Sequence, residues 1–394
     1  MAVSVPELDN LLESYTKRPD GIAGLAAIAI DRNGNIIYSG TFGATSVDPS
    51  KASPVTLDTV HWIASQTKLL TTIAAMQCVE RGQIGLDDPV GEILPELADP
   101  DIVEGFDDDE KPKLRKAATK ITLKLLLTHT SGLAYNGIHP TLNKWCKITG
   151  MNLKPSEAGM KAFTFPLVFE PGTSWTYGAG IEWAGLLVER LNSCTLEEYM
   201  QKNIFVPLGM NSTTFHPEAY PKIESRLVDL TKRLPDGTLA SMGRFYPYPA
   251  THDFGGAGLY STAADFIKLL ATLLRGGGAI LKIESVDAIF RPQVTTEAGE
   301  AHSKWMREEH SAPSETTFGL SASIAVAPFP NRRAAGTAKW NGMPNLDSFV
   351  DRETGIAATI FQQTFPPDDP VSIEFAVKFE ELLYSHVRAS PPPS

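Results

Sequence analysis

Ser65-Gln66-Thr67-Lys68 opens the apolar run Leu69-Leu70-Thr71-Thr72-Ile73-Ala74-Ala75-Met76-Gln77-Cys78-Val79-Glu80, and the reading of this stretch decides the fold. Taken as a helix, it puts positions i and i+3 on one face, so the Ser65 hydroxyl and the Lys68 ammonium come within reach of each other. Leu69, Ile73, Met76, Cys78 and Val79 supply an apolar surface that would seat the helix inside the protein. A lysine in water titrates near about 10.4, so one that serves as a base at neutral pH must be desolvated or set beside another charge. Read alone, the pattern fits equally a helix N-cap serine followed by a surface lysine.

The 394 residues exceed a usual single core and imply one large domain with an inserted region or two closely packed lobes. A formal net charge of -11 argues against a nucleic-acid partner, which needs clustered Lys and Arg. The segment Met1 to Asp9 lacks the basic and apolar regions of a leader, and no apolar run reaches membrane-spanning length; the expectation is a cytoplasmic protein without a membrane partner. Cys78, Cys146 and Cys194 are odd in number and lack metal-ligand spacing, so they read as reduced thiols, with Cys78 in the core.

Residues 24–30 and 35–42 form a β-hairpin about Asp31-Arg32-Asn33-Gly34, where Asn-Gly supplies the positive φ angles of a tight turn. Residues 318–326, 334–340, 346–351 and 355–362 read as further strands, followed by a helix over 371–386 and a disordered tail from Ser390 to Ser394. Strands at both ends around a helical middle predict an α+β fold in which N- and C-terminal segments complete one antiparallel sheet. The expected organisation is a single catalytic domain over 1–389, with a sheet lobe at about 20–60 and 260–389 and a helical lobe at about 61–259. The charged stretch Glu104 to Lys120 reads as an exposed loop, and His302 to Thr317 as a surface loop or a flap over a pocket.

Two further segments carry chemistry. Trp175-Thr176-Tyr177-Gly178-Ala179-Gly180 places Tyr177 on a loop at the entrance of a helix over 181–191, where its phenol can meet a lysine; the two would titrate as a pair, and either could take a serine proton. A structural tyrosine is the plain alternative. In Ala338-Lys339-Trp340-Asn341-Gly342-Met343, a strand meets Gly342, which lets a substrate carbonyl approach the backbone, and the amides of Met343 and Ser65 could hold an oxyanion. A strand-end turn is the plain alternative here.

In chain order, Ser65-x-x-Lys68, Leu126-Leu127-Thr128-His129-Thr130-Ser131-Gly132-Leu133, Tyr177 and Phe254-Gly255-Gly256-Ala257-Gly258-Leu259-Tyr260-Ser261-Thr262 resemble the serine β-lactamase-related family of class C β-lactamases, penicillin-binding proteins and family VIII carboxylesterases. The likeness runs from about Leu8 to His386. Lys68 to Gly82, Glu104 to Asp108 and Tyr177 to Gly185 are similar to the fungal secondary-metabolite acyltransferases of that family. The resemblance implies a β-lactamase/transpeptidase-like fold and an acyl-enzyme on Ser65, with Lys68 and Tyr177 relaying the proton and no metal or organic cofactor. Its implied partners are a small-molecule hydroxyl acceptor and an ester or thioester acyl donor, for which an acyl carrier protein is one expected carrier. Hydrolysis of an ester or lactone is the alternative, and a non-turnover acyl-binding protein a third. β-Lactamases usually carry Asn two residues after the tyrosine and a Lys-Thr-Gly triplet, where this chain has Ala179 and Trp340-Asn341-Gly342. Antibiotic hydrolysis should therefore be poor, with Trp340 an apolar wall for a hydrophobic substrate. Tyr135 lines the same pocket or packs beside it. The resemblance gives His129 a structural role, and His252 and Asp253 read as scaffold.

Overall fold

The computed structural model describes residues 3–151, 153–310 and 315–389, so the predicted tail from Ser390 onward lies outside the described residues. Seven strands build an antiparallel sheet: β1 (Gly24–Asp31), β2 (Ile36–Gly43), β3 (Thr316–Phe318), β4 (Ser323–Ala325), β5 (Ala338–Gly342), β6 (Leu346–Asp351) and β7 (Ile356–Phe361), in the order β2-β1-β7-β6-β5-β4-β3. The N-terminal hairpin therefore joins the C-terminal strands through β1 and β7, with Ala29 opposite Ala358. Strand β1 shows why a continuous apolar run is needed here. Leu25, Ala27 and Ala29 face the helices Pro6–Lys17 and Pro370–Ala389, among Leu8, Leu12, Phe375, Phe379 and Leu383. Ala26, Ile28 and Ile30 face the other way, into the main core, where the helix Ala263–Leu274 packs on the strand. Period-two alternation thus buries both faces of the strand.

Four expectations from sequence change in detail. In the first hairpin only Gly34 takes a positive φ (85°), and the Asp31 carboxylate fixes the turn by accepting from the amides of Asn33 and Asn35. The run over 318–326 is two strands, because Ser321 sits at φ 67° and a Cβ on Gly319 would lie 2.4 Å from the Ile289 carbonyl oxygen. The charged stretch after Glu104 is not an irregular loop: Asp101–Phe106 and Pro112–Lys116 pair as an exposed hairpin. Of the expected loop or flap over 302–317, residues 302–310 belong to the helix Thr296–His310, with Ala298, His302 and Trp305 on one side at i, i+4 and i+7, residues 316–317 belong to β3, and 311–314 lie outside the described residues.

Candidate active site

Ser65 lies in a short 3₁₀ turn, Ala64–Gln66, between the strand His61–Trp62 and the helix Thr67–Glu80. Ala64 is held at φ 46°, an uncommon backbone for a residue with a Cβ. Several ties over-determine this turn. Ile63 N–H donates to Leu259 O, Gln66 Nε2 donates to Ser348 Oγ at 2.7 Å on β6, and Thr71 Oγ1 donates to Gly255 O at 2.6 Å. Strand β5 presses on the same turn: a Cβ on Gly342 would come within 2.6 Å of Ile63 O. The side-chain position of this glycine is therefore filled by protein backbone and not left for a substrate, and what Gly342 supplies is close approach of the strand to Ser65.

The first helical turn brings Lys68 under Ser65. Lys68 is 1% exposed, and its ammonium donates to Ser65 Oγ at 3.3 Å and to Gly256 O at 2.7 Å. The Tyr177 hydroxyl donates to Ser65 Oγ at 2.6 Å, and Lys68 Nζ sits 4.7 Å from the centre of the Tyr177 ring. Three residues spread over 112 positions of sequence thus meet at one oxygen. Tyr135 closes the floor, its ring centre 5.3 Å from Lys68 Nζ and its hydroxyl donating to Glu182.

The loop carrying Tyr177 is gripped by His129, at φ 60°, whose carbonyl accepts from Thr176 N and whose Nδ1 accepts from Gly178 N at 3.4 Å. Burial, and then the Lys68 charge, hold the His129 imidazole well below its ordinary pKa, so it is neutral. Gly178 is obligatory in this arrangement, since a Cβ would fall 1.7 Å from Leu133 O.

An aromatic wall stands beside the phenol. Trp340 lies 5.6 Å from Tyr177, and Trp305 stacks on Tyr177 at 5.7 Å and on Trp340 at 6.4 Å. The sequence reading missed Trp305 because the polarity of its segment masked the i, i+4, i+7 pattern of the helix Thr296–His310. Met343, next to Gly342, is 36% exposed, outside the packed interior. A cavity of about 30 Å³, room for about one water, touches Ser65, Leu69, Ser321 and Trp340. A larger one, about 310 Å³, lies past Trp340 among Met306, Phe329, Arg332 and Lys339, and Ser65 does not line it. Among the described residues no group of His, Cys, Asp and Glu is arranged to hold a metal ion. The three cysteines are free, with Cys78 and Cys146 buried.

The family model described as Beta-lactamase matches residues 9–381. The chain belongs to the beta-lactamase family. Within that family it is similar to a lovastatin esterase of Penicillium rubens, at 35% identity over 92% of this chain and 94% of that one. It is equally similar to a monacolin J acid methylbutanoyltransferase of Aspergillus terreus, at 35% identity over 92% of each chain. The structure of unliganded simvastatin synthase from Aspergillus terreus superposes with a TM-score of 0.91, at 33% identity and 98% coverage of both chains. These beta-lactamase-family relatives are acyltransferases and an esterase, and this chain is an enzyme of the same kind. Among its described residues no helix is long and apolar enough to cross a membrane.

Proposed function

We propose that the protein is a serine acyltransferase working through an acyl-enzyme. The observation that carries this reading is the meeting of the Tyr177 hydroxyl (2.6 Å) and the Lys68 ammonium (3.3 Å) at Ser65 Oγ, with Lys68 out of water. Ser65 Oγ attacks the carbonyl of an ester or thioester donor while its proton passes to the Lys68–Tyr177 pair, which acts with one proton already removed, as phenolate beside ammonium or phenol beside amine. The backbone amides of Ser65 and Met343 receive the oxyanion, and Gly342 allows β5 to approach the turn closely enough for that. As the tetrahedral intermediate collapses, the pair returns a proton to the leaving thiol or alcohol. A second pass transfers the acyl group to an incoming hydroxyl. Trp340, with Tyr135, lines the acyl or acceptor side, and its indole N–H, buried and without a partner among the described residues, is a donor available to a bound carbonyl. No cofactor enters this scheme.

The acceptor is a hydroxyl on an apolar polyketide-like secondary metabolite, consistent with the aromatic wall and with the transferase relative. An acyl carrier protein as donor and a cytoplasmic setting complete the proposal. The esterase relative, at the same 35% identity, supports a second reading in which water discharges the acyl-enzyme. Intact-mass measurement with a short acyl thioester tests both. An adduct on the wild type and none on Ser65→Ala is expected, discharged faster by a bulky polyketide alcohol than by water alone. Equal discharge in water would select the esterase, and an adduct on Ser65→Ala would remove Ser65 as nucleophile.

A further inference from the structure

The stretch Tyr177 to Gly185 contains Glu182, to which the sequence analysis gives no role, yet it is the buried carboxylate that lies under the site. It sits in the first turn of the helix Gly180–Asn192 and is 2% exposed. Its Oε2 accepts from Gly256 N–H at 2.7 Å and its Oε1 from the Tyr135 hydroxyl at 3.2 Å. Gly256 is also the residue whose carbonyl accepts from Lys68 Nζ. One glycine therefore holds the carboxylate by its N–H and the ammonium by its C=O. A Cβ there would lie 2.3 Å from Glu182 Oε1, so the carboxylate is seated where only glycine leaves room.

Both Glu182 oxygens accept hydrogen bonds, which suits the ionised group, while burial pushes its pKa up against the pull of Lys68, Gly256 and Tyr135. A buried anion of this kind is costly without a cation to balance it. Lys68 supplies the positive charge; the other titratable groups around it are the phenols of Tyr135 and Tyr246. Beyond Lys68 lie Tyr177 and the neutral His129. The sequence adds an independent observation. The asparagine that β-lactamases carry two residues after the tyrosine is Ala179 here, a methyl that can make no hydrogen bond, and Glu182 comes three residues later, on the same side of the helix start.

We propose that Glu182 is a positioning residue of the acylation reaction: its carboxylate, bridged through Gly256, fixes Lys68 beneath Ser65 and balances its charge, in place of the missing asparagine. The inference rests on the acyl-enzyme reading given above.

The test is the rate of Ser65 acylation by a short p-nitrophenyl ester, followed by release of p-nitrophenol and by intact mass as a function of pH, with thermal melting as the folding control. Glu182→Gln keeps the shape and removes the charge. The limb on which the Lys68–Tyr177 pair loses its proton is expected to move down by about one pH unit, because a nearby anion no longer opposes that loss. The plateau rate is expected to fall about 10²-fold through misplacement of the ammonium. Glu182→Asp, which retains the charge, should return the limb to its wild-type position. Tyr135→Phe serves if Glu182→Gln does not fold. It strips from the carboxylate a donor that favours its ionised form, so less negative charge faces Lys68 and the limb should move down as in Glu182→Gln, by a smaller amount. A limb unmoved in Glu182→Gln, or in Tyr135→Phe where that variant stands in, reduces Glu182 to packing and overturns the proposal. No Ser65 adduct on the wild type would instead overturn the acyl-enzyme reading beneath it.

Discussion

At the scale of single residues, the site depends on hydrogen bonds to one oxygen and on one histidine that never touches it. Tyr177→Phe removes the 2.6 Å contact with Ser65 while leaving the ring against Trp305 and Trp340. Acylation should slow by about 10² to 10⁴-fold, the usual worth of a positioned proton-transfer group, with melting almost unchanged; burst kinetics beside a melting curve would check both halves. His129→Ala should do the reverse. It deletes a buried ring packed on Trp175, Tyr177 and Phe318 and leaves alanine at φ 60°, so a loss of about 2–5 kcal/mol is expected in denaturant unfolding, with Ser65 still labelled in the folded fraction. A second histidine sets a pH dependence. His61, fully buried beside Thr59 O, is pushed down to about 4 by desolvation. The unfolded chain binds that proton near pH 6.5 and the folded one does not, so this contribution to stability is complete above about 6.5 and is lost as pH falls toward 4. His61→Gln should flatten the fall in melting temperature over that window relative to the wild type. The paired comparison removes the opposing slope of Glu189, which burial raises to about 7.

At the scale of elements, what could be read from sequence was what local chemistry alone specifies. The nucleophile helix, the Asp31–Gly34 hairpin and the C-terminal helix each carry their own signal: an apolar run, a turn residue, or a long amphipathic stretch. Ser65, Lys68 and Tyr177 were legible for the same reason, since each stands in a short fixed pattern. Glu182 and Trp305 were not, because their meaning comes from partners far away in sequence: Gly256 for one, Tyr177 and Trp340 for the other. The break at Ser321 was likewise invisible, its left-handed backbone being held by a bond from Ser321 N to Leu127 O. Gly342 was read for its approach to a substrate, and the backbone neighbour that its missing Cβ admits, Ile63 O, was not legible. This makes a prediction about β5 as an element. Gly342→Ala should push the strand off the Ser65 turn, cost about 1–3 kcal/mol from overpacking, and slow acylation more than it lowers stability, since the Met343 amide moves with the strand. Urea unfolding and acylation rates of the same protein would separate the two; an unchanged rate would detach β5 from the oxyanion.

At the scale of the whole molecule, the site lies where the sheet meets the helices inserted between β2 and β3, so its geometry depends on how firmly the two chain ends are tied together. The C-terminal helix Pro370–Ala389 covers the outer face of the sheet, and from it Glu380, 2% exposed, reaches the loop that feeds β5. Arg333 Nη1 bonds both Glu380 oxygens, at 2.8 and 2.7 Å, and Arg332 Nε lies 3.3 Å from Oε1. One carboxylate thus serves two guanidinium groups whose side chains are only 8% and 9% exposed. Such a group adds little net stability over well-packed apolar residues, but removing one partner strands buried charge. Glu380→Ala leaves two arginines facing each other out of water and should cost about 3–5 kcal/mol, read as a fall in the urea midpoint. Replacing all three, as Glu380→Leu with Arg332→Met and Arg333→Met, should recover most of that loss. Because the same loop leads into β5, the single variant should also lose acylation at temperatures well below its melting point, whereas the triple variant keeps it. A single variant as active and as stable as the wild type would show that the end of the chain covers the sheet without setting the position of β5 beside Ser65.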